Sequence, residues 1–449
     1  MLGSEYNWLI SLSRQGNGAP RVRMASTALL TLAIALFCLV CVALRAEPTP
    51  RDLLREAGAA AQAGDNALFI AKLEAARTLR PDYPRVLSNL ARAYAAAGRP
   101  ADALAQLREL AALGLDLDPA ADRSLASLRN EPDFAAALAA FAANRAPAGR
   151  DETAWAINDV DGIIEGIACQ PSNLHWYFSD VRNRCVWQRD VSGGTAKNVK
   201  FSSDADHLLG VFGLKIDDAH NTLWAGTAAL PEMKGYTAAD QGRAALVEFD
   251  LATGRVRHSF PVPTDGRDHV LGDVLLASDG SVFTSDSTAP VIWRLPPHGV
   301  KLEKWLESAD FVSLQGMAFG ADGKSLVVAD YANGLWRIDL TTQVRTLLPA
   351  PTHTTLFGID GLYAIPGGLV AVQNGITPQR IIRIALSTGG QPESVKVLLA
   401  GHAAMNDLAL GQIVNGRLHF IGNSGWALFD DPKAAPAARP VTILNTATD

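Results

Sequence analysis

Three hydrophobic patterns follow one another along the chain. The first is an unbroken apolar run, residues 25–44 (ASTALLTLAIALFCLVCVAL), without a charged side chain. At about 1.5 Å per residue such a helix matches a bilayer core. Arg21 and Arg23 precede it and Arg45 follows, which predicts a cytoplasmic N-terminus for a membrane anchor. The same run reads as the apolar stretch of a secretory signal, although Leu44-Arg45-Ala46 is a poor cleavage site. Anchor and cleaved signal share one expectation: the residues after Ala46 lie outside the cytoplasm, in a periplasm or secreted.

The second pattern is helical. From residue 51 to about 145, small and apolar residues recur at helical spacing, punctuated by Gly64, Pro81, Gly98 and Pro119. The stretch repeats with a period of 34 residues, so that Gly64 and Gly98 each follow the first helix of a pair. Ala57, Leu73 and Ala76 in the first unit, and Leu90, Ala91, Tyr94, Ala103 and Leu107 in the second, carry the small and apolar positions. On these residues the segment resembles about two tetratricopeptide repeats, with Glu56 where an apolar residue is usual. Helix pairs of this kind stack into a groove for a protein partner, or serve as a spacer.

The third pattern has the period of strands. After residue 150, short runs rich in Val, Ile, Phe and Trp alternate with Asp, Gly and Asn turns. Residues 314–349 divide into GMAFG, SLVVAD, GLWRIDL and QVRTLL, and five further units align beneath them. The sixth would run NDLALG, LHFIGN, WALFDD and VTIL, with residues 155–158 as an extra strand beside it. One such meander cannot bury both faces, whereas six packed radially can. The expected fold is therefore mainly β. A six-bladed β-propeller (151–449) follows a cytoplasmic N-terminal segment (1–24), a transmembrane or signal helix (25–46) and a small α-helical tetratricopeptide-like domain (50–145).

Composition adds limits. With 48% hydrophobic and 19% charged residues, the chain is neither disordered nor fibrous. A net charge of −6 gives no basic face and argues against a nucleic-acid partner. Cys169 and Cys185 fall on the first and third strands of the first blade, too far apart for a disulfide, and are expected as buried free thiols. The acids that end second strands, Asp180, Asp286 and Asp330, are expected to brace the following turns.

In a propeller the first strand of each blade lines the channel. The residues at the starts of those strands are Glu165, Gly213, Asp273, Gln315, Asp360 and Asp407. Carboxylates around one axis repel unless a cation or water offsets them. Oxygen donors favour Ca²⁺, Mg²⁺ or Mn²⁺ over a thiolate-type zinc site. The alternative is a ring of strand-capping acids around a water-filled channel.

The six units resemble the senescence-marker-protein, regucalcin and gluconolactonase family. The resemblance rests on Glu165-Gly166, on QGMAFGADGKSLVVAD from Gln315 and on Asp360-Gly361-Leu362. It implies a divalent cation on the axis, Ca²⁺ first and Mg²⁺, Mn²⁺ or Zn²⁺ otherwise, held by Glu165, Gln315 and Asp360. It also implies hydrolysis of a sugar lactone or related ester, with Asp360 or Asp273 as base. Gln315 stands where the family has Asn, and Gly272 where a substrate-contacting Asn is usual. Asp273, Arg267, His269 and Asp407 are the candidate substrate contacts. A non-catalytic binding or scaffold protein of the cell envelope is the competing reading. One insertion, residues 228–243, is placed by topology at the same mouth, as a lid or a contact surface.

Overall fold

A computed structural model describes residues 48–150, 152–190, 196–429, 431 and 436–449. The apolar run 25–44 and Cys38 and Cys41 lie outside the described residues. Among the described residues no helix is long and apolar enough to cross a membrane.

Five α-helices come first: α1 (Pro50–Gln62), α2 (Asn66–Leu79), α3 (Pro84–Ala96), α4 (Pro100–Ala112) and α5 (Pro132–Asn144). Four begin with Pro at the first helical position, where its missing N–H and fixed φ cost nothing. Thr49 and Asp52 form a reciprocal capping box at the start of α1. Gly64 and Gly98 follow α1 and α3 with positive φ, ending each helix as the sequence punctuation predicts. The helices share one core built on Leu73, Val86, Leu90, Leu107, Leu110 and Leu128.

The rest of the chain forms six sheets of four strands each, a mainly β six-bladed propeller. In blades 1 to 5 the strands pair in sequence order, inner to outer. Apolar side chains meet between neighbouring blades: Ala318, Val327 and Ala329 of blade 4 pack on Leu362, Ala371 and Ile382 of blade 5.

Blade 6 departs from the sequence reading. Its inner strand is Gly411–Val414; of the NDLALG segment only Gly411 belongs to it, and the rest runs beside residues 421–423 through the Asp407–Asn423 bridge and a hydrogen bond from Ala409 N to the Ile421 carbonyl (3.2 Å). Residues Trp426–Phe429, expected as a third strand, make a short 3₁₀ turn. The third strand is Arg439–Ala447, and the outermost is Glu152–Val160, from the other end of the propeller sequence. Trp155 pairs with Ile443 and Ile157 with Val441, so the ring is closed by main-chain hydrogen bonds. The extra strand thus completes the last blade.

The acids that end the second strands do brace the turns, and they do more. Asp330 accepts from the backbone N–H groups of Val312 (3.0 Å) and Ser313 (3.2 Å), and from the indole of Trp336 (3.3 Å). Asp286 accepts from Val270 N, Ala289 N and Trp293 Nε1 at 3.0–3.1 Å. Each acid thereby ties its own turn and third strand to the segment that leads into its inner strand. In blade 5 the residue is Gln373, and the polarity inverts: its Nε2 donates to the carbonyls of Thr355 (2.9 Å) and Phe357 (2.6 Å).

The helical arm rests on the ring beside blades 4 and 5. Arg80, paired with Asp82 at 2.9 Å, donates to the carbonyl of Asn333 at 2.7 Å. In the opposite sense Arg380 of blade 5, buried, donates to the carbonyl of Leu113 (3.3 Å) just past α4 and to Gln373 Oε1 (2.7 Å). A cation at the carbonyl end of a helix suits the helix dipole. Tyr83 stacks on Phe357 with ring centroids 4.1 Å apart. Cys169 and Cys185 are free and buried, as expected.

Asp330→Ala would leave three backbone amides, the Asn333 side-chain amide and an indole N–H without this acceptor. A loss of about 3 kcal/mol is expected, read from the urea unfolding midpoint. A loss under about 0.5 kcal/mol would show that the clamp is incidental.

Candidate functional site

Each inner strand of blades 1 to 5 carries a register shift at the same place. The shifts fall between Ile164 and Ile167, Val211 and Leu214, Leu271 and Val274, Leu314 and Met317, and Ile359 and Gly361. A bulge re-aims the side chains it contains. Here it turns Glu165, Phe212, Asp273, Gln315 and Asp360 to one cavity of about 320 Å³. Glycine accompanies most of these residues because the inner strands crowd. A Cβ on Gly166 would stand 2.5 Å from the Phe212 carbonyl, and one on Gly316 would stand 2.5 Å from the Asp360 carbonyl.

The cavity also takes side chains that the sequence reading missed: Ser287, Tyr331 and Asn374. All three occupy one repeat position, directly after the last residue of a second strand. The sequence marks that position by the bracing residue just before it, Asp286, Asp330 or Gln373. Trp426 enters from the 3₁₀ turn mistaken for a strand.

Hydrogen bonds fix the geometry. Trp426 Nε1 donates to Glu165 Oε2 at 2.5 Å, and Asn374 Nδ2 donates to Asp360 Oδ2 at 2.8 Å. The Tyr331 hydroxyl donates to Asn374 Oδ1 at 3.1 Å. Gln315 Oε1 accepts from the Ser287 hydroxyl (3.1 Å), while its Nε2 donates to Ser313 (3.0 Å). Asp407 Oδ2 accepts the backbone N–H groups of Gly425 (2.7 Å) and Trp426 (2.8 Å), so it holds the indole that holds Glu165. Asp407 itself is not among the residues lining the cavity.

Two expected roles change. Asp273 lines the cavity, but Oδ1 accepts from Val274 N and Oδ2 from Met317 N, both at 2.9 Å. Its carboxylate ties blade 3 to blade 4, an arrangement that suits a brace better than a base. Arg267 and His269 do not line the cavity. Arg267 pairs with Asp265 and Glu307, and His269 is buried with its two ring nitrogens on Asp286 (2.6 Å) and Asp265 (3.0 Å). Of the insertion, only Leu230 reaches the cavity wall; Met233 packs with Leu209 and Ala229 instead.

Electrostatically the site is strained. Burial, and then repulsion from Asp360, holds the Glu165 carboxyl well above the usual range. Burial pushes Asp360 up to about 7, against the Asn374 hydrogen bond and with the help of Asp273 and Asp407. Burial also raises Tyr331, with the neighbouring acids adding to it. Glu165 and Asp360 have no ion-pair partner among the described residues. Among these residues, too, no group of three or more His, Cys, Asp or Glu side chains is placed to hold a metal ion. The donors at the axis are two carboxylates and the Gln315 amide, an all-oxygen set suited to a hard cation. Among the described residues, each carboxylate keeps one oxygen, Glu165 Oε1 or Asp360 Oδ1, without a protein donor.

No known family profile matches the chain, and no curated protein matches it. Among solved structures it is similar to a gluconolactonase from Xanthomonas campestris (16% identity, TM-score 0.45, 67% of this chain and 98% of that one). It is also similar to the calcium-binding regucalcin of Agrobacterium tumefaciens (15% identity, TM-score 0.45, 66% and 96%). A third is the PQQ-bound aldose sugar dehydrogenase of Streptomyces coelicolor (12% identity, TM-score 0.44, 67% and 100%). The propeller assignment rests on the strand order given above, not on these likenesses.

The raised Asp360 makes a pH-dependent cost. Its folded pKa, about 7, exceeds the ordinary 3.8, so the folded state holds the proton more tightly. Stability is full below the ordinary value and falls as pH rises through about 7. In metal-free protein, Asp360→Asn is expected to raise the melting temperature at pH 8 and to leave it nearly unchanged at pH 4. An equal shift at both pH values would show that the carboxyl is not strained.

Proposed function

We propose that the axial cavity is the site of a hydrolase acting on a sugar lactone or related small ester, outside the cytoplasm if residues 25–44 act as anchor or signal. A divalent cation, Ca²⁺ by preference over Mg²⁺, Mn²⁺ or Zn²⁺, would be held by Glu165, Asp360 and Gln315. The observation that carries this reading is the pair of buried, mutually repelling carboxyls, Glu165 and Asp360, that no cationic side chain among the described residues neutralises. Such a cation, when bound, polarises a carbonyl and acidifies water.

The chain's own residues supply the rest. Asn374, itself held by Tyr331, fixes one Asp360 oxygen and leaves the other free to take a proton. Water adds to the lactone carbonyl carbon as its proton passes to Asp360. The proton returns to the ring oxygen as the C–O bond breaks, leaving a hydroxy acid. Phe212, Leu230 and Trp426 give the cavity an apolar wall for the carbon skeleton. A second reading, ligand binding without turnover, is favoured by Gln315, whose amide is spent on Ser287 and Ser313.

Metal analysis with Ca²⁺, Mg²⁺, Mn²⁺ and Zn²⁺ titration, and a lactone panel, separates the two readings. Wild type is expected to bind one cation per chain and to open at least one lactone. Asp360→Ala should weaken cation binding at least tenfold and turnover by about 10² or more. Binding without turnover supports the second reading; neither binding nor turnover sinks the first.

A further inference from the structure

A second cavity of about 400 Å³ lies between the helical arm and the ring, beside the axial site. The two cavities share walls. Val312 faces the cleft and Gln315 the axis; Ala332 and Asn333 face the cleft and Tyr331 the axis. The cleft is lined by four arginines, Arg51, Arg55, Arg80 and Arg85, and by no Asp or Glu. This is notable in a chain of net charge −6. Arg55 is paired with Asp52 and Arg80 with Asp82. Arg51 spends one N–H on the neutral carbonyl of Ala309, and Arg85 has no polar partner among the described residues. Two exposed guanidinium groups therefore remain uncompensated at one opening. Between them run half-buried apolar surfaces of Leu54 and Phe69.

We propose that this cleft docks an acidic segment of another protein, its carboxylates on Arg51 and Arg85 and an apolar side chain on Leu54 and Phe69. Guanidinium groups recognise carboxylates bidentately, and an aromatic floor adds area without flexibility. The cleft is preformed, because Arg80 fixes the arm to the carbonyl of Asn333, itself part of the cleft wall. Little ordering is needed on this side of the complex. The chain's own residues 1–47 do not suit the cleft, since they hold four arginines against two glutamates. The occupant comes from outside.

The test uses the full chain in detergent and a fluorescein-labelled decapeptide of Glu and Asp with one central Leu, followed by anisotropy. Saturable binding is expected, weakening several-fold between about 0.05 and 0.3 M salt. Arg85→Glu should weaken it about tenfold, and Arg51→Glu with Arg85→Glu further. Lys301→Glu, the same charge change at an exposed turn elsewhere on the ring, should have little effect. Unchanged melting temperatures would show that the variants fold. Absence of binding below about 1 mM peptide overturns the proposal. So does equal weakening by Lys301→Glu, or displacement by inorganic phosphate at the peptide's own concentration.

Discussion

Six inner strands have to share one axis, and that crowding governs the molecule. Where the strands come closest there is little room for a side chain, so glycine follows Glu165, Phe212 and Gln315. Each inner strand of blades 1 to 5 relieves the crowding with a bulge at that level. The bulge that allows the strands to pack also turns the neighbouring residue inward. Carboxyl groups reach the axis because the packing leaves their positions nowhere else to face. Their burial raises their proton affinity, and a site with unspent oxygen donors results.

The same face carries the opposite charge further out. Carboxyls lie at the axis, and arginines lie where the helical arm meets blades 4 and 5. The docking is reciprocal: an arginine of the arm donates to the ring, and an arginine of the ring donates to the arm. Arg380 also holds Gln373, whose neighbour Asn374 holds Asp360. The arm is therefore joined by hydrogen bonds, through two adjacent residues of blade 5, to the group proposed as base.

Blade 4 was legible almost strand for strand, because its apolar runs alternate and its turns carry Asp-Gly and Asn-Gly. Blade 6 was not. Its outermost strand pairs Trp155 with Ile443, a register that no local period reveals. Its third strand was misplaced because Trp426-Ala427-Leu428-Phe429 is apolar enough to read as a strand, while its backbone turns to bring the indole to Glu165. Glu165, Gln315 and Asp360 were found from the starts of the inner strands. Arg267 and His269 were misjudged because an exposed loop charge and a buried one look alike in sequence. His269 is explained only by Asp286 and Asp265 on either side of its ring.

The closing pair, Glu152–Val160 on Arg439–Ala447, imposes an order in time. The ribosome delivers the outermost strand of the last blade before any other strand of the ring, and its partner after every other strand of the ring. Throughout synthesis the first strand is an unpaired edge, open to wrong partners. The bridge from Ala148 to Ala400 can form once blade 5 exists, and it brings that edge alongside its future neighbour. Arg439–Ala447 then acts as a clasp. A chain that stops short of Arg439 therefore carries every residue lining the axial cavity and lacks the strand that closes the ring around it.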